Sequence, residues 1–376
     1  SVTAESGDLM NPAEPGSGGG AYSTSEYHGG GNGGGLIRIK AGRLHVDGSI
    51  IADGESRINT SGWTWSGGSG GGILIHATTL SGSGTISAKG GSSSNGGAGG
   101  GGRIAVYYDT LELPVENIID SGGVSASSGT AARNGGAGTI FLKDNAKADG
   151  DLIVDNKAIG TGNISTPLPA VGLGNVTALT VDSLTDSSAA WKPGALKGLK
   201  VNPNINQDKV FTVINNDATT LYIDISEGDL TQATSVGGLY TGIYSLNGMT
   251  ISGNAVVSFS DRLVIDDELV VDNATLFTDR NDITADKVTI KNGGVLTHLN
   301  TTTTTTSKLV LNATTDLIID TGGKIDVTGR GYLGGYRGGN NSYNGRTIGN
   351  TTEGGSTSNN GGSYGGLGGI YSGGSV

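Results

Sequence analysis

The sequence predicts an all-β chain wound as a parallel, right-handed β-helix with glycine-rich corner loops and a small inserted β-rich module. Three observations predict it. Short runs of Val, Ile and Leu alternate with polar residues, Gly, Asp, Asn and Ser fill the gaps between runs, and one pattern of three runs recurs along the chain. Strands this short make no stable hairpin alone. A coil that lays each strand beside its equivalent one turn later pairs every backbone group at ~4.8 Å spacing. No segment of useful length carries the helical period.

Four repeats define the coil. The first runs through Leu36-Ile37-Arg38-Ile39-Lys40, Leu44-His45-Val46 and Gly48-Ser49-Ile50-Ile51-Ala52-Asp53-Gly54. The second has Ile73-Leu74-Ile75-His76-Ala77, Leu80 and Gly84-Thr85-Ile86-Ser87-Ala88-Lys89-Gly90. The third begins at Arg103-Ile104-Ala105-Val106-Tyr107 and reaches Val124-Ser125-Ala126 after a small insertion. The fourth lies downstream at Leu309-Val310-Leu311, Leu317-Ile318-Ile319 and Gly323-Lys324-Ile325-Asp326-Val327. Alternation places Ile50, Ile86, Val124 and Ile325 inward, with Ala52, Ala88, Ala126 and Val327, two residues on, facing the same way.

Residues 36–181 and 244–330 are therefore read as rungs, and 1–35 and 331–376 as glycine-rich loop segments. Between the rung regions the texture changes. Trp191, Pro193 and Pro203 and longer strands such as Val210-Phe211-Thr212-Val213-Ile214 mark 182–243 as the inserted module. The glycine-rich stretches follow the third strand of each repeat and leave the coil at one corner. Glycine permits positive φ and close backbone approach, so these loops either pack as layers or stay loose. The aromatics within them, Tyr22, Tyr27, Trp63, Trp65, Tyr332, Tyr336, Tyr343 and Tyr364, favour layers that they cap or staple.

Composition narrows function. The chain has 71 Gly and 7 Pro among 376 residues, but the glycines are clumped, which excludes the every-third-residue order of collagen. A net charge of −11 opposes polyanionic partners, so nucleic acid is not an expected partner. Without Cys there is no disulfide framework or thiolate site, a pattern compatible with an extracellular location. No apolar run approaches the ~18 residues of a membrane span. The start at Ser1-Val2 has neither initiator Met nor signal peptide and reads as a mature piece.

Candidate chemistry is sparse. Asp261, Asp266, Asp267 and Asp272, within a wider acidic cluster, are candidates for a structural Ca²⁺ or for paired catalytic carboxylates, although turn geometry alone also favours Asp there. No cofactor is required. Trp63 and Trp65, two apart in a Gly/Ser loop, and Tyr27 are candidates for stacking on surface glycans or for loop packing. The four His residues are scattered and show no zinc spacing.

The stretch Gly-Gly-Lys-Ile-Asp-Val-Thr-Gly-Arg-Gly-Tyr-Leu-Gly-Gly (322–335), the run Gly-Gly-Gly-Leu-Ile-Arg-Ile-Lys-Ala (33–41) and the module with Thr185-Asp186-Ser187-Ser188, Trp191 and Asn202-Pro203-Asn204 resemble repeats of giant glycine-rich bacterial surface and adhesin-like proteins. The resemblance implies architecture and supplies no catalytic pattern. The expected function is a non-catalytic structural or adhesive repeat of an extracellular fibre, sheath or giant adhesin. The alternatives are a carbohydrate-binding module and a polysaccharide-degrading enzyme. Joined tail to head, 331–376 and 1–35 make one loop of the recurrent kind. Copies are therefore expected to follow one another head to tail, with Ser1, Val2, Ser375 and Val376 at the joint.

Overall fold

The computed structural model of the chain describes residues 8–21, 29–58, 65–126, 133–162, 164–279, 282–371 and 373–375. It is all-β, with 39% strand and 3% helix, in large and mostly parallel sheets. In the first half, Leu36–His45 (β1), Gly72–Ser81 (β3), Arg103–Leu111 (β5) and Thr139–Asp144 (β7) lie side by side in parallel. Register is kept throughout: Ile37, Ile73, Ile104 and Ile140 are successive partners. The short strands Ser49–Ile51 (β2), Thr85–Ser87 (β4) and Ile118–Ile119 (β6) form a second, three-stranded parallel sheet.

The second half repeats the scheme. Asp151–Asp155 (β8), Gly248–Ser252 (β17), Arg262–Asp272 (β19), Asp282–Ile290 (β21) and Val310–Ile319 (β23) are parallel neighbours, and Leu152, Met249, Leu269, Val288 and Leu317 are successive partners. Thr166–Pro167 (β9), Val256–Phe259 (β18), Thr275–Thr278 (β20), Val295–His298 (β22) and Lys324–Ile325 (β24) form the matching five-stranded sheet. A one-register slip would turn every inward Ile, Leu or Val to solvent, so the alternation of apolar residues fixes the pairing. At the turns between these sheets Asn254 and Asn273 take left-handed φ of 63° and 45°, and the Asn273 side-chain amide donates to Asn254 Oδ1 at 3.0 Å.

The two halves meet at an antiparallel pair, β7 with β8, in which Phe141 sits opposite Leu152. At this seam the core changes face. Ile73, Ile75, Ile104, Val106, Ile140 and Leu142 pack with Ile86 and Ile118 in one cluster. Leu74, Ala105 and Phe141, on the other face of the same strands, join Leu152, Val154, Ile251 and Leu269 in a second cluster. Strand direction and the side carrying the crossovers thus reverse together, and the hand of the crossover is the same in both halves. Strand β7 makes this possible because it is apolar on both faces, its first four residues being buried.

Between β9 and β17 lies an antiparallel module. Its strands are Leu173–Asn175 (β10), Ala178–Leu179 (β11), Ser183–Thr185 (β12), Lys200–Asn202 (β13), Phe211–Asn216 (β14), Thr220–Ile223 (β15) and Leu239–Leu246 (β16). The Thr-Asp-Ser-Ser motif is its hub. Asp186 accepts from Ser188 N, from Ser188 Oγ at 2.6 Å and from the buried Tyr240 hydroxyl at 2.7 Å, while Trp191 Nε1 donates to Val171 O at 2.9 Å. Burial and the neighbouring Asp186 carboxylate raise the Tyr240 phenol well above its usual range.

Four sequence-based expectations are corrected. The module starts at Leu173 rather than 182, so the stretch to Val181 does not continue the coil uninterrupted. In the third repeat the inward strand is Ile118–Ile119, because Pro114 and the 3₁₀ turn Val115–Asn117 deliver Ile118 opposite Ile86. Val124 is 46% exposed and Ala126 is exposed; Ser125 between them bridges to Ser93 in the loop layer. Ile325 and Val327 are 37% and 43% exposed and Ile50 half-buried, since these residues belong to the end rungs, covered from one side only.

Phe141 carries the seam, so Phe141→Ala is expected to cost about 3–5 kcal/mol in chemical denaturation, the range for a deleted core aromatic. Tyr364→Ala, at a side chain 98% exposed, is expected to cost much less.

Candidate functional site

Two features stand out from the frame: a stack of glycine segments at one corner and the open edges at both ends. The glycine segments are layers. Outgoing segments 52–57, 88–94 and 120–126 stack on one another, and return segments 29–35, 65–72, 97–102 and 133–138 form a second layer, with 16–19 as a third beyond it. Bonds recur at three-residue steps: Gly67 N to Gly97 O and Gly70 N to Gly100 O within the return layer, Gly68 N to Glu55 O and Gly71 N to Ala52 O between layers. Gly16 N to Gly34 O and Gly19 N to Gly31 O tie in the third layer. A three-residue extended helix makes no internal backbone bond, so its N–H and C=O groups are free to bond outward to several neighbours.

The glycines serve close approach rather than positive φ. Among the described glycines from Gly16 to Gly138, only Gly82, in the turn between β3 and β4, lies in the left-handed region. A Cβ at Gly70 would lie 1.9 Å from the Ala88 carbonyl oxygen, and one at Gly68 equally close to that of Asn32. Four of the aromatics expected to staple these layers lie elsewhere, and Tyr22 lies outside the described residues. Tyr332, Tyr336, Tyr343 and Tyr364 lie in the exposed C-terminal loop, with Tyr336 and Tyr343 edge to face at 4.7 Å. Trp65 does border a layer: its carbonyl accepts from Gly96 N and the Arg57 guanidinium lies 5.9 Å from its ring centroid. Trp63 and Tyr27 lie outside the described residues, as do Ser1, Val2 and Val376. Ser375 is bonded into its own loop, its N–H donating to Thr357 Oγ1 at 2.9 Å.

A buried carboxyl stands among the apolar inward residues of the first half. Asp120 occupies the inward place held by Ala52 and Ala88 in the preceding rungs: its carbonyl accepts from Gly138 N as theirs accept from Gly71 N and Gly102 N. It is fully buried and neither carboxyl oxygen has a hydrogen-bond partner in the protein. Burial, and then the charge of Asp155, raise its carboxyl well above the usual range, against the pull of its own backbone N–H and of Lys157. The sequence held the signal, because Ile118-Ile119-Asp120 parallels Ile50-Ile51-Ala52.

The four candidate carboxylates do not converge. Asp261 is buried and accepts from Val171 N at 2.9 Å and Gly172 N at 2.6 Å, anchoring the start of the module. Burial pushes it up to about 6 against the pull of those two donors. Asp266 and Asp267 are exposed at a bulge of β19, and Asp272 pairs with Lys291 at 3.3 Å. Among the described residues no group of three or more His, Asp or Glu side chains gathers to hold a metal. Nor do the described histidines meet: His45 bonds Asp47 and Ser81, His76 stacks on Tyr107 at 4.5 Å, and His298 Nδ1 contacts Leu299 O.

At the ends, β1 pairs only with β3 and β23 only with β21 among the described residues. Each presents an unpaired backbone edge of ten residues. Beside these edges Leu36 and Ile51 are 39% and 58% exposed at one end, and Leu317 and Ile319 each 47% at the other. Comparison with protein-family models, with curated proteins and with solved structures finds no match.

Two outcomes follow for this region. Gly70→Ala is expected to destabilise the layers by about 1–3 kcal/mol, read as faster amide exchange in 65–72 and 88–102, whereas Gly97→Ala, with open space at its Cβ, leaves exchange unchanged. Asp120 has a raised carboxyl in the folded state, so its contribution is most favourable below pH ~4 and is lost as pH rises through the folded value. Melting at pH 7 should therefore improve in Asp120→Ala, and in acid the advantage should shrink to the cost of a neutral unpaired carboxyl, about 1–3 kcal/mol.

Proposed function

We propose that the two runs of parallel strands are right-handed β-helical coils, and that the protein is a non-catalytic structural and adhesive element of an extracellular surface fibre built end to end. The observation that carries this reading is the pair of open ends, each with an unpaired ten-residue strand, where inward residues are half-buried at one end (Ile37, Ile39, Leu44, Ile50) and exposed at the other (Leu317, Ile319). Such edges template pairing with another chain, and a contact of unlike ends that does not close gives a fibre. The right hand follows from the near-universal hand of parallel crossovers. The resemblance of the glycine-rich motifs to bacterial surface repeats supports the extracellular placement.

Electron microscopy and sedimentation of the purified chain over a concentration series test the reading, with fibres as the expected outcome. A chain that stays monomeric at high concentration would falsify it. A polysaccharide screen separates the competing classes: turnover lost in Asp266→Asn or Asp267→Asn assigns an enzyme, and binding without turnover, lost in Trp65→Ala, assigns a carbohydrate-binding module.

A further inference from the structure

The seam between the halves constrains how two copies can meet. Strand β23 runs opposite to β1 within the same sheet, and its core lies on the opposite face. A copy added by plain translation would meet its neighbour antiparallel, as β8 meets β7. That arrangement requires a strand apolar on both faces, and neither end supplies one. The outward face of β1 carries Arg38 and Lys40, and that of β23 carries Asn312 and Asp316. A half-turn about the stacking axis reverses strand direction and core side together. It sets β1 of one copy parallel to β23 of the next, with both cores on one side.

The side chains at the two ends fit that placement. The inward residues of β21 and β23 fall as Ile283 beside Leu311 and Val288 beside Leu317. Continuing the series puts Ile37 beside Leu311, Leu44 beside Leu317 and Ile50 beside Ile325. The corner of β1 is one residue longer than that of β23, a difference of the kind already absorbed by the bulges at Ile265/Glu268 and Ala285/Lys287. Charge then supplies a register mark. Glu268, Lys287 and Asp316 are successive partners across β19, β21 and β23, each directly before the inward Leu269, Val288 and Leu317, and Lys287 Nζ lies 3.0 Å from Glu268. The next place in this alternating ladder calls for a cation. Arg43, exposed and directly before Leu44, holds it.

We infer that copies of this chain stack with a half-turn between them, β23 of one pairing in parallel with β1 of the next, and Arg43 of one copy facing Asp316 of the other. This rests on the fibre reading and specifies its interface. The long loop after β24 would then leave the coil from the corner used by the loops after β2, β4 and β6.

Both marker residues are exposed, so their exchange tests the interface without burdening the fold, which circular dichroism and melting of each full-length variant verify. Arg43→Asp and Asp316→Arg each place like charges together and should raise the concentration needed for assembly about tenfold, and the double exchange should restore it. The chain has no Cys, so Arg38→Cys with Asn312→Cys gives a second readout. Neighbouring strands at ~4.8 Å are within disulfide reach, so oxidation should yield a covalent ladder of copies, and Lys40→Cys with Asn312→Cys, two residues out of register, should not. Image reconstruction should show successive copies turned by a half-turn. Fibres that form yet ignore the charge exchange and the cysteine pair overturn this interface and leave the fibre reading standing. A chain that never assembles overturns both.

Discussion

The structure depends on in-register pairing of each backbone segment with its equivalent in the next repeat. In the strands this is an ordinary parallel ladder. In the glycine corners it is the same stacking carried on by extended three-residue helices, which bond to neighbours within and between layers. A chain with so few large side chains has a thin core, and the described inward positions of the parallel strands are filled mostly by Ile, Leu, Val and Ala. Backbone pairing supplies the order that a round hydrophobic core supplies elsewhere, and it needs glycine wherever two backbones approach more closely than a Cβ permits.

A second constraint acts at the middle of the chain. Parallel crossovers keep one hand, so a reversal of strand direction within a continuous sheet obliges the crossovers to change sides. Strand β7 is where the obligation is met: Ile140 and Leu142 face one core and Phe141 the other. The N-terminal segment serves the same boundary. Leu9 is buried in the second cluster, Met10 packs against it, and the Tyr107 hydroxyl donates to Met10 O at 2.8 Å. Next to the seam, the outer face of the first half, at Leu74, Ala105 and Phe141, is therefore covered by the chain's own start and by the module.

Much of the frame was legible because its signals are local. The place of the glycine loops and the existence of the module follow from runs of Ile, Leu and Val set between turn formers, whereas the first two of the three strands expected per repeat are one continuous ten-residue strand in β1 and in β3. The seam was not legible, since Leu152-Ile153-Val154 looks alike whether its neighbour runs parallel or antiparallel. The third rung was misaligned for a related reason. Val124-Ser125-Ala126 matches the apolar pattern better than Ile118-Ile119-Asp120, and only tertiary pairing reveals that an aspartate stands in an alanine's place. The layers were half legible: clumped glycine pointed to close approach, but the three-residue step of the bonding shows only in the pairing. Of the candidate site residues, the carboxylates were read from proximity in sequence, and the alternation of a strand sends such neighbours to opposite faces, Asp261 inward to a backbone clamp and Asp266 out to solvent.

The buried aspartate shows how far this architecture tolerates a local misfit. Asp120 interrupts an inward column of alanines beside the most tightly packed layer, where a Cβ added to Gly101 would lie 1.6 Å from its carbonyl oxygen. Its carbonyl accepts from Gly138 N as those of its alanine counterparts accept, so that bond between layers is kept while the side chain bears the mismatch. Because burial raises this carboxyl, it costs the fold more at neutral pH than in acid, where only its missing hydrogen bonds count. Stacking therefore makes the parallel repeats tolerant at inward positions and intolerant where a glycine meets a neighbouring backbone. An inward side chain has its own volume in the column, whereas a glycine shares its space with the backbone of the next segment.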